Sequence, residues 1–250
     1  MNSSMLLVMM FAFFCCCLSF WIGGAASALI QPASLNVPVG QTTTINCWIG
    51  RGESQYTRWF KQIPGETPQL ILEYKRFSSE ANFYGSGFSS SRFTSKSVDE
   101  ENNQLVIKGT EVGDTAMYYC EKWVSAENQA VFGGGTKLIV EDTSLPSPSI
   151  KVFGPTDEEI SMDGLVTLVC LATKLSVPFA EVSWTACGVK VTSGVTTSLA
   201  AKHNDGTFSI SSYLSLPAIK WTSTERKFSC EVKPEGSGSR AVAHLDDARC

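Results

Sequence analysis

The chain has 250 residues, 43% hydrophobic and 18% charged, an ordinary globular composition that excludes a disordered tail or a collagen-like rod. Twenty basic residues against twenty-four acidic ones give a net charge of −4, so no basic excess is present to neutralise phosphates and no nucleic-acid partner is expected. His203 and His244 are the only histidines, which leaves little room for a histidine-based metal site or general base and favours a binding protein over an enzyme.

Residues Met5–Ile22 (MLLVMMFAFFCCCLSFWI) carry no charge and almost no polarity, and small residues ending in Ala26-Ser27-Ala28 follow them. This pattern predicts a secretory signal over residues 1–28, cut after Ala28, with a retained signal anchor as the rival reading. Cys15, Cys16 and Cys17 lie inside it. No second apolar stretch of spanning length follows, so the mature chain is expected to be exported and soluble. Six cysteines remain after the signal: Cys47, Cys120, Cys170, Cys187, Cys230 and Cys250. In an oxidising compartment these are disulfide candidates before they are ligands or nucleophiles. None forms a Cys-x-x-Cys pair, which argues against zinc and redox catalysis, and no cofactor is expected.

From Leu29 onward the sequence shows short alternating segments rich in Val, Ile, Thr, Phe and Tyr, separated by Gly, Pro, Ser and Asn. Thr42–Trp48, Gln104–Ile107 and Phe208–Leu216 are examples. Alternation of period two predicts half-buried antiparallel strands, and many of them predict a sandwich or barrel. The Pro/Ser-rich stretch EDTSLPSPS over 141–149 reads as an exposed joint, dividing the mature chain into residues 29–141 and 150–250 around a linker at 142–149. The same plan stands on both sides of it. Cys47 is followed by Trp59 and then Cys120; Cys170 is followed by Trp184 and then Cys230.

This cysteine–tryptophan–cysteine order resembles that of immunoglobulin domains. The resemblance implies an all-β fold of two Greek-key β-sandwiches in tandem, with Cys47 bonded to Cys120 and Cys170 to Cys230 across facing sheets. Each bridge would close a loop of roughly 60–75 residues and stabilise by about 4 kcal/mol. The first cysteine interval is 73 residues and the second 60. The longer suits a variable-type domain with two extra strands, and the shorter suits a constant-type domain.

More specific matches span the mature chain. They are Trp59-Phe60-Lys61-Gln62 with Pro64-Gly65 and Pro68-Gln69-Leu70, then Asp114–Cys120 (DTAMYYC) and Phe132–Leu138 (FGGGTKL), a joining-type segment. In the second half they are Thr167–Ala172 (TLVCLA), Ser212–Leu216 (SYLSL), Trp221 and Cys250. With these the chain resembles an immunoglobulin light chain. That implies an antibody chain pairing with a heavy chain in a disulfide-linked heterodimer, itself part of a larger tetramer or polymer. It also implies antigen as the second partner and a location outside the cell or at the B-cell surface.

The resemblance assigns roles. Tyr118 takes the tyrosine-corner position, whereas Phe228 stands at the matching place in the second half. Arg92 and Asp114 take the positions of an ion pair at the base of the variable domain. Strand parity turns Phe60 and Gln62 outward if Trp59 points inward. Phe60, Gln62, Pro68, Leu70, Tyr119 and Phe132, with Phe153 and Val169 in the constant half, fall at heavy-chain contact positions. Residues 49–57, 74–82 and 121–131 fall where hypervariable loops belong, with Arg51, Tyr56, Tyr74, Arg76, Glu121 and Trp123 as candidate antigen contacts. Cys250 takes the place of the interchain thiol. Cys187 departs from the pattern, and three fates stay open for it: a bond to Cys250 within the chain, a second interchain bridge, or no bridge.

A T-cell receptor chain shares the variable–constant order and is the alternative, together with another soluble recognition module. A receptor chain would carry a connecting peptide and a membrane span, neither of which is found before Cys250, so the antibody chain is the expectation. Glu100-Glu101 and Glu158-Glu159 read as solvated turn residues, and no serine–histidine–aspartate order in a strand–turn–helix context is present.

Overall fold

The computed structural model describes residues 29–245 except 51–54, 126–127, 162–163 and 224–226. The expected signal over 1–28, Arg51 and Cys250 lie outside the described residues.

The first half contains β1 (Ser34–Pro38), β2 (Thr43–Trp48), β3 (Tyr56–Gln62), β4 (Gln69–Lys75), β5 (Phe83–Tyr84), β6 (Phe93–Ser97), β7 (Asn102–Ile107), β8 (Ala116–Val124), β9 (Gln129–Phe132) and β10 (Thr136–Glu141). One sheet runs β1-β10-β8-β3-β4-β5 with β9 alongside β8, and the other runs β2-β7-β6. The second half contains β11 (Ser149–Phe153), β12 (Leu165–Leu175), β13 (Ala180–Ala186), β14 (Val189–Val191), β15 (Val195–Thr197), β16 (Ala201–Lys202), β17 (Phe208–Pro217), β18 (Phe228–Pro234) and β19 (Ala241–His244). Its sheets run β11-β12-β17-β15, with β16 beside β17, and β14-β13-β18-β19. Among the described residues, helix is confined to a 3-10 turn at Val112–Asp114 and to the short α1 (Asp157–Ser161) and α2 (Ala218–Ser223). The chain is therefore an all-β tandem of two sandwiches, as the alternating segments predict.

Alternation in sequence becomes alternation in burial. In β12 the inward set Val166, Leu168, Cys170 and Ala172 is buried, while Thr167, Val169 and Leu171 turn to the other face. In the first core Cys47 is bonded to Cys120 beside the fully buried Trp59; in the second Cys170 is bonded to Cys230 beside Trp184. Both indole N–H groups are satisfied by the opposite sheet. Trp59 donates to Ser95 Oγ at 3.2 Å and Trp184 donates to Ser212 Oγ at 3.0 Å. Burial without such a partner would cost about 1–3 kcal/mol at each indole.

The base of the first sandwich is closed by polar contacts. Arg92 and Asp114 form the ion pair assigned to them, and the Tyr118 hydroxyl donates to the Asp114 carbonyl at 2.8 Å. Burial pushes the Tyr118 phenol well above its ordinary value, so it stays protonated and donating. Lys61 donates to the Gly113 carbonyl at 2.6 Å, and its own burial lowers its pKa despite the neighbouring Asp114. Phe228, at the corner position of the second half, stacks on Trp221 with centroids 5.9 Å apart instead.

The joint between the halves is packed. The Asp142 N–H donates to the Gly236 carbonyl at 2.9 Å, and Lys137 pairs with Glu235 at 2.7 Å while lying 5.2 Å from the Phe179 ring. On the other side Lys202 comes 3.5 Å from Glu66. Gly236 has φ +74°, and a Cβ there would come 2.7 Å from both Ile139 Cγ2 and the Val140 carbonyl oxygen. A side chain at that point meets backbone, which cannot yield as a flexible side chain does. Gly236→Val is therefore expected to destabilise the chain by about 1–3 kcal/mol and to speed proteolytic cutting at 142–149. Calorimetry and limited proteolysis of the two chains check this.

Candidate functional site

The sheet centred on β8 and β3 presents an outer face whose side chains follow from register. Phe60 lies opposite Tyr119 on one side and Leu70 on the other, where a register shift after Trp59 brings β4 into line. Phe132, on β9, packs against Phe60 with ring centroids 5.6 Å apart and an interplanar angle of 55°, yet is 53% exposed. Gln62 is half-buried and donates to the Glu66 carbonyl at 2.9 Å, and Pro68 is exposed just before β4. Phe60, Leu70, Tyr119 and Phe132 thus lie together on one open apolar face. Two glycines help shape it: a Cβ on Gly133 would strike the Gln31 side chain, and one on Gly135 (φ +87°) would strike the Tyr119 ring at 2.5 Å. The glycine run lets β9 and β10 separate while Tyr119 keeps its place.

One step along the strands the same face becomes charged. Arg58 on β3 is aligned with Glu73 on β4 and Glu121 on β8. It donates to Glu73 at 2.8 Å and to Glu121 at 3.2 Å. Glu121 is 2% exposed, and its Oε1 has no hydrogen-bond partner. Burial, only partly offset by Arg58, raises the Glu121 pKa above the ordinary glutamate range. Sequence reasoning does not single out Arg58 and Glu73. The available signal is parity, because Arg58 lies two residues before Phe60 and must share its face.

Beyond this step stand Tyr56 and Trp123, 40% and 41% exposed. The register pairs Thr57 with Lys122, so these two aromatics are neighbours on adjacent strands. Arg76 is half-buried, with its N–H on the Gln55 carbonyl at 2.7 Å.

Two expected antigen contacts are corrected. Tyr74 is only 1% exposed; its hydroxyl donates to the Ser78 carbonyl at 3.0 Å and accepts from the Ser97 N–H at 3.1 Å. It is a core residue tying β4 to β6. Glu121 is buried beneath the Arg58 ion pair and offers no surface. The loop bounds shift for the same reason, since β3 begins at Tyr56, β4 runs to Lys75 and β8 runs to Val124.

In the second half, Phe153 is 49% exposed and lies opposite Val169, which lies opposite Tyr213. These three form an apolar row on the outer face of the β11-β12-β17-β15 sheet. Tyr213 is absent from the sequence-based set, although its outward parity in Phe208–Pro217 is readable. Among the described residues, no group of three or more His, Cys, Asp or Glu is placed to hold a metal ion.

Residues 30–141 match the immunoglobulin V-set domain and residues 150–237 the immunoglobulin C1-set domain. The chain is 32% identical over 229 residues to a viral T-cell receptor beta chain-like protein of Feline leukemia virus, spanning 86% of this chain and 70% of that protein. It is 36% identical over 110 residues to two Ig kappa chain V regions of Oryctolagus cuniculus, spanning 44% of this chain and 93% of each.

The buried acid yields a pH prediction. A carboxyl whose pKa is higher in the folded chain than in the unfolded one supports folding at low pH, and that support is lost as pH rises through the folded value. Glu121→Gln, neutral throughout, is expected to raise the melting temperature relative to the natural chain at pH 7.5. The gain should shrink as pH falls toward about 4.5, the ordinary glutamate value. Arg58→Ala leaves the buried carboxylate without its cation and is expected to cost about 2 kcal/mol at pH 7.5. Thermal melts of the three chains at both pH values check both signs.

Proposed function

The chain belongs to the immunoglobulin superfamily, as a V-set domain followed by a C1-set domain, and we propose that it is the light chain of an antibody. In this reading it pairs with a heavy chain, within a larger tetramer or polymer, and the two variable domains jointly bind antigen. Its work is passive recognition without turnover. It is exported after loss of residues 1–28 and acts outside the cell or, anchored by its heavy chain, at the B-cell surface.

The observation that carries the reading is the open apolar face of the variable sheet. Phe60, Leu70, Tyr119 and Phe132 form a contiguous patch on a small domain, and such patches mark protein interfaces. The Phe153–Val169–Tyr213 row supplies a second contact to a partner's constant domain. Tyr56 and Trp123 at the far end of the variable sheet are the described side chains best placed to meet antigen, with Arg76 beside them and Arg51 assigned by its loop position. Cys250 is the thiol that fixes the pairing covalently.

A second reading has its own support. The likeness to the viral T-cell receptor beta chain-like protein runs across both domains, so a receptor-type chain pairing through the same faces fits the tandem.

Co-expression separates the two. With an antibody heavy chain a covalent heterodimer is expected on non-reducing gels, and with a T-cell receptor alpha chain none is. Phe60→Asp buries a charge in the patch and is expected to weaken pairing at least tenfold in a titration, since central aromatic anchors are worth about 2 kcal/mol or more. Its monomer melting temperature should change little, because Phe60 sits on the outer face. Cys250→Ser is expected to keep pairing but lose the covalent product. Pairing with the alpha chain alone would replace the antibody reading by the receptor one.

A further inference from the structure

Five side chains on the outer face of the variable sheet stand in one row across five strands. Register places Phe83 on β5 opposite Glu73 on β4, and Glu73 opposite Arg58 on β3. Arg58 in turn lies opposite Glu121 on β8, and Glu121 opposite Phe132 on β9. The order is aromatic, acid, base, acid, aromatic. Tyr84 packs against the core, so its neighbour Phe83 turns outward, and the two phenylalanines that end the row are 58% and 53% exposed. Phe132 also belongs to the apolar patch, with its ring 5.6 Å from that of Phe60.

Two carboxylates share one cation in this row. Arg58 donates from Nε to Glu73 Oε2 at 2.8 Å and from Nη1 to Glu121 Oε2 at 3.2 Å. Each acid keeps a second oxygen that Arg58 does not reach. That of Glu121 is buried without a hydrogen-bond partner, on a side chain only 2% exposed. That of Glu73 belongs to a side chain 25% exposed at the surface. Lys75, opposite Tyr56 in the next row, is exposed and forms no ion pair among the described residues. The row itself therefore carries an excess negative charge between two exposed rings.

Apolar side chains laid over this row would strip water from Glu73 and leave the excess charge uncompensated. A cation laid there pairs with the free carboxylate oxygen and is attracted to the faces of the rings. Arginine suits both contacts better than lysine, because its planar fork matches a carboxylate and its flat face stacks on an aromatic ring. We propose that the row Phe83–Glu73–Arg58–Glu121–Phe132 receives a cationic side chain, arginine above all, from the partner's variable domain. The proposal rests on the pairing reading given above and adds the chemistry of what the partner brings. The incoming guanidinium pairs with Glu73 Oε1 beside Phe83, while Glu121 stays with Arg58. A partner seated on the Phe60 patch reaches the row through the shared Phe132, which assigns the cation to the partner rather than to antigen. The row then selects among partners: a basic residue at the facing position completes it, and an acidic one meets two carboxylates.

The test co-displays the full chain with antibody heavy chains randomised in their hypervariable loops, sorts for pairing without antigen, and sequences the partners before and after. Arginine and lysine are expected to rise severalfold over glutamate and aspartate at one or two loop positions. Glu73→Gln in this chain should remove most of that enrichment, and Glu73→Lys should turn it toward acidic residues. Should Glu73→Lys fail to fold, Phe83→Ala on the short edge strand is the second variant, and it is expected to lower the enrichment of arginine relative to lysine. Pairs that form with no preference for basic residues, or with a preference that Glu73→Gln leaves intact, overturn the cation site while the pairing reading stands. A parallel library of T-cell receptor alpha chains separates the two readings: basic enrichment there alone keeps the cation site and replaces only the antibody reading. No pairing in either library overturns the pairing reading and the proposal with it.

Discussion

In each half of the chain the two sheets are joined twice at one spot, by a disulfide and by an indole N–H reaching across to a serine. Trp59 lies opposite Cys120 in the strand register, and Trp184 lies opposite Cys230. The bridge and the ring therefore stand side by side, filling the middle of a thin core that few other residues can reach. A serine on the facing sheet completes the arrangement in both domains, Ser95 in the first and Ser212 in the second. Once these positions are pinned inward, parity fixes the direction of every neighbour along β3, β8 and β13. Phe60 and Tyr119 are outward because Trp59 is inward.

The same pinning makes much of the fold legible in the sequence. The pinned residues are marked by rare amino acids at fixed intervals, and period two does the rest, so Phe60, Gln62, Tyr119 and Val169 fall on the faces that parity assigns them. Strand ends carry no such mark. Tyr74 reads locally as a loop tyrosine, and only the Ser97 N–H, brought close by the fold, shows that its hydroxyl is interior. Glu121 misleads for the same reason. Its cation, Arg58, is 63 residues away in sequence, and an acid at the end of a strand gives no local sign of what will cover it. The domain joint is subject to the same limit. The stretch 141–149 reads as loose composition, while the contacts that brace it come from Glu235 and Gly236 nearly a hundred residues later.

The braced joint matters for the reading of function. A two-domain chain that pairs through both halves presents two apolar faces to one partner, and fixing one face helps set the other only if the connection transmits position. Lys137 lies near the start of β10, within the joining-type segment, and engages Glu235 and the ring of Phe179. Rigid linkage of this kind reduces the orientational freedom lost on pairing.

The outer face of the variable sheet is best understood as a ladder of three kinds of step. Phe60, Tyr119 and Leu70 form the apolar step, Arg58, Glu73 and Glu121 the ionic one, and Tyr56 with Trp123 the aromatic one at the open edge. The ionic step sits between the surface proposed for pairing and the surface proposed for antigen. Glu121 is already buried in the single chain, and its second oxygen lacks a donor, so a partner that covers Arg58 further removes water from a carboxylate that is held by one guanidinium. The energetic cost falls on the residues joining the two surfaces. If the chain pairs and binds as proposed, the two surfaces share the solvation of one ion cluster, and covering Arg58 would alter the setting of Tyr56 and Trp123 without contacting either.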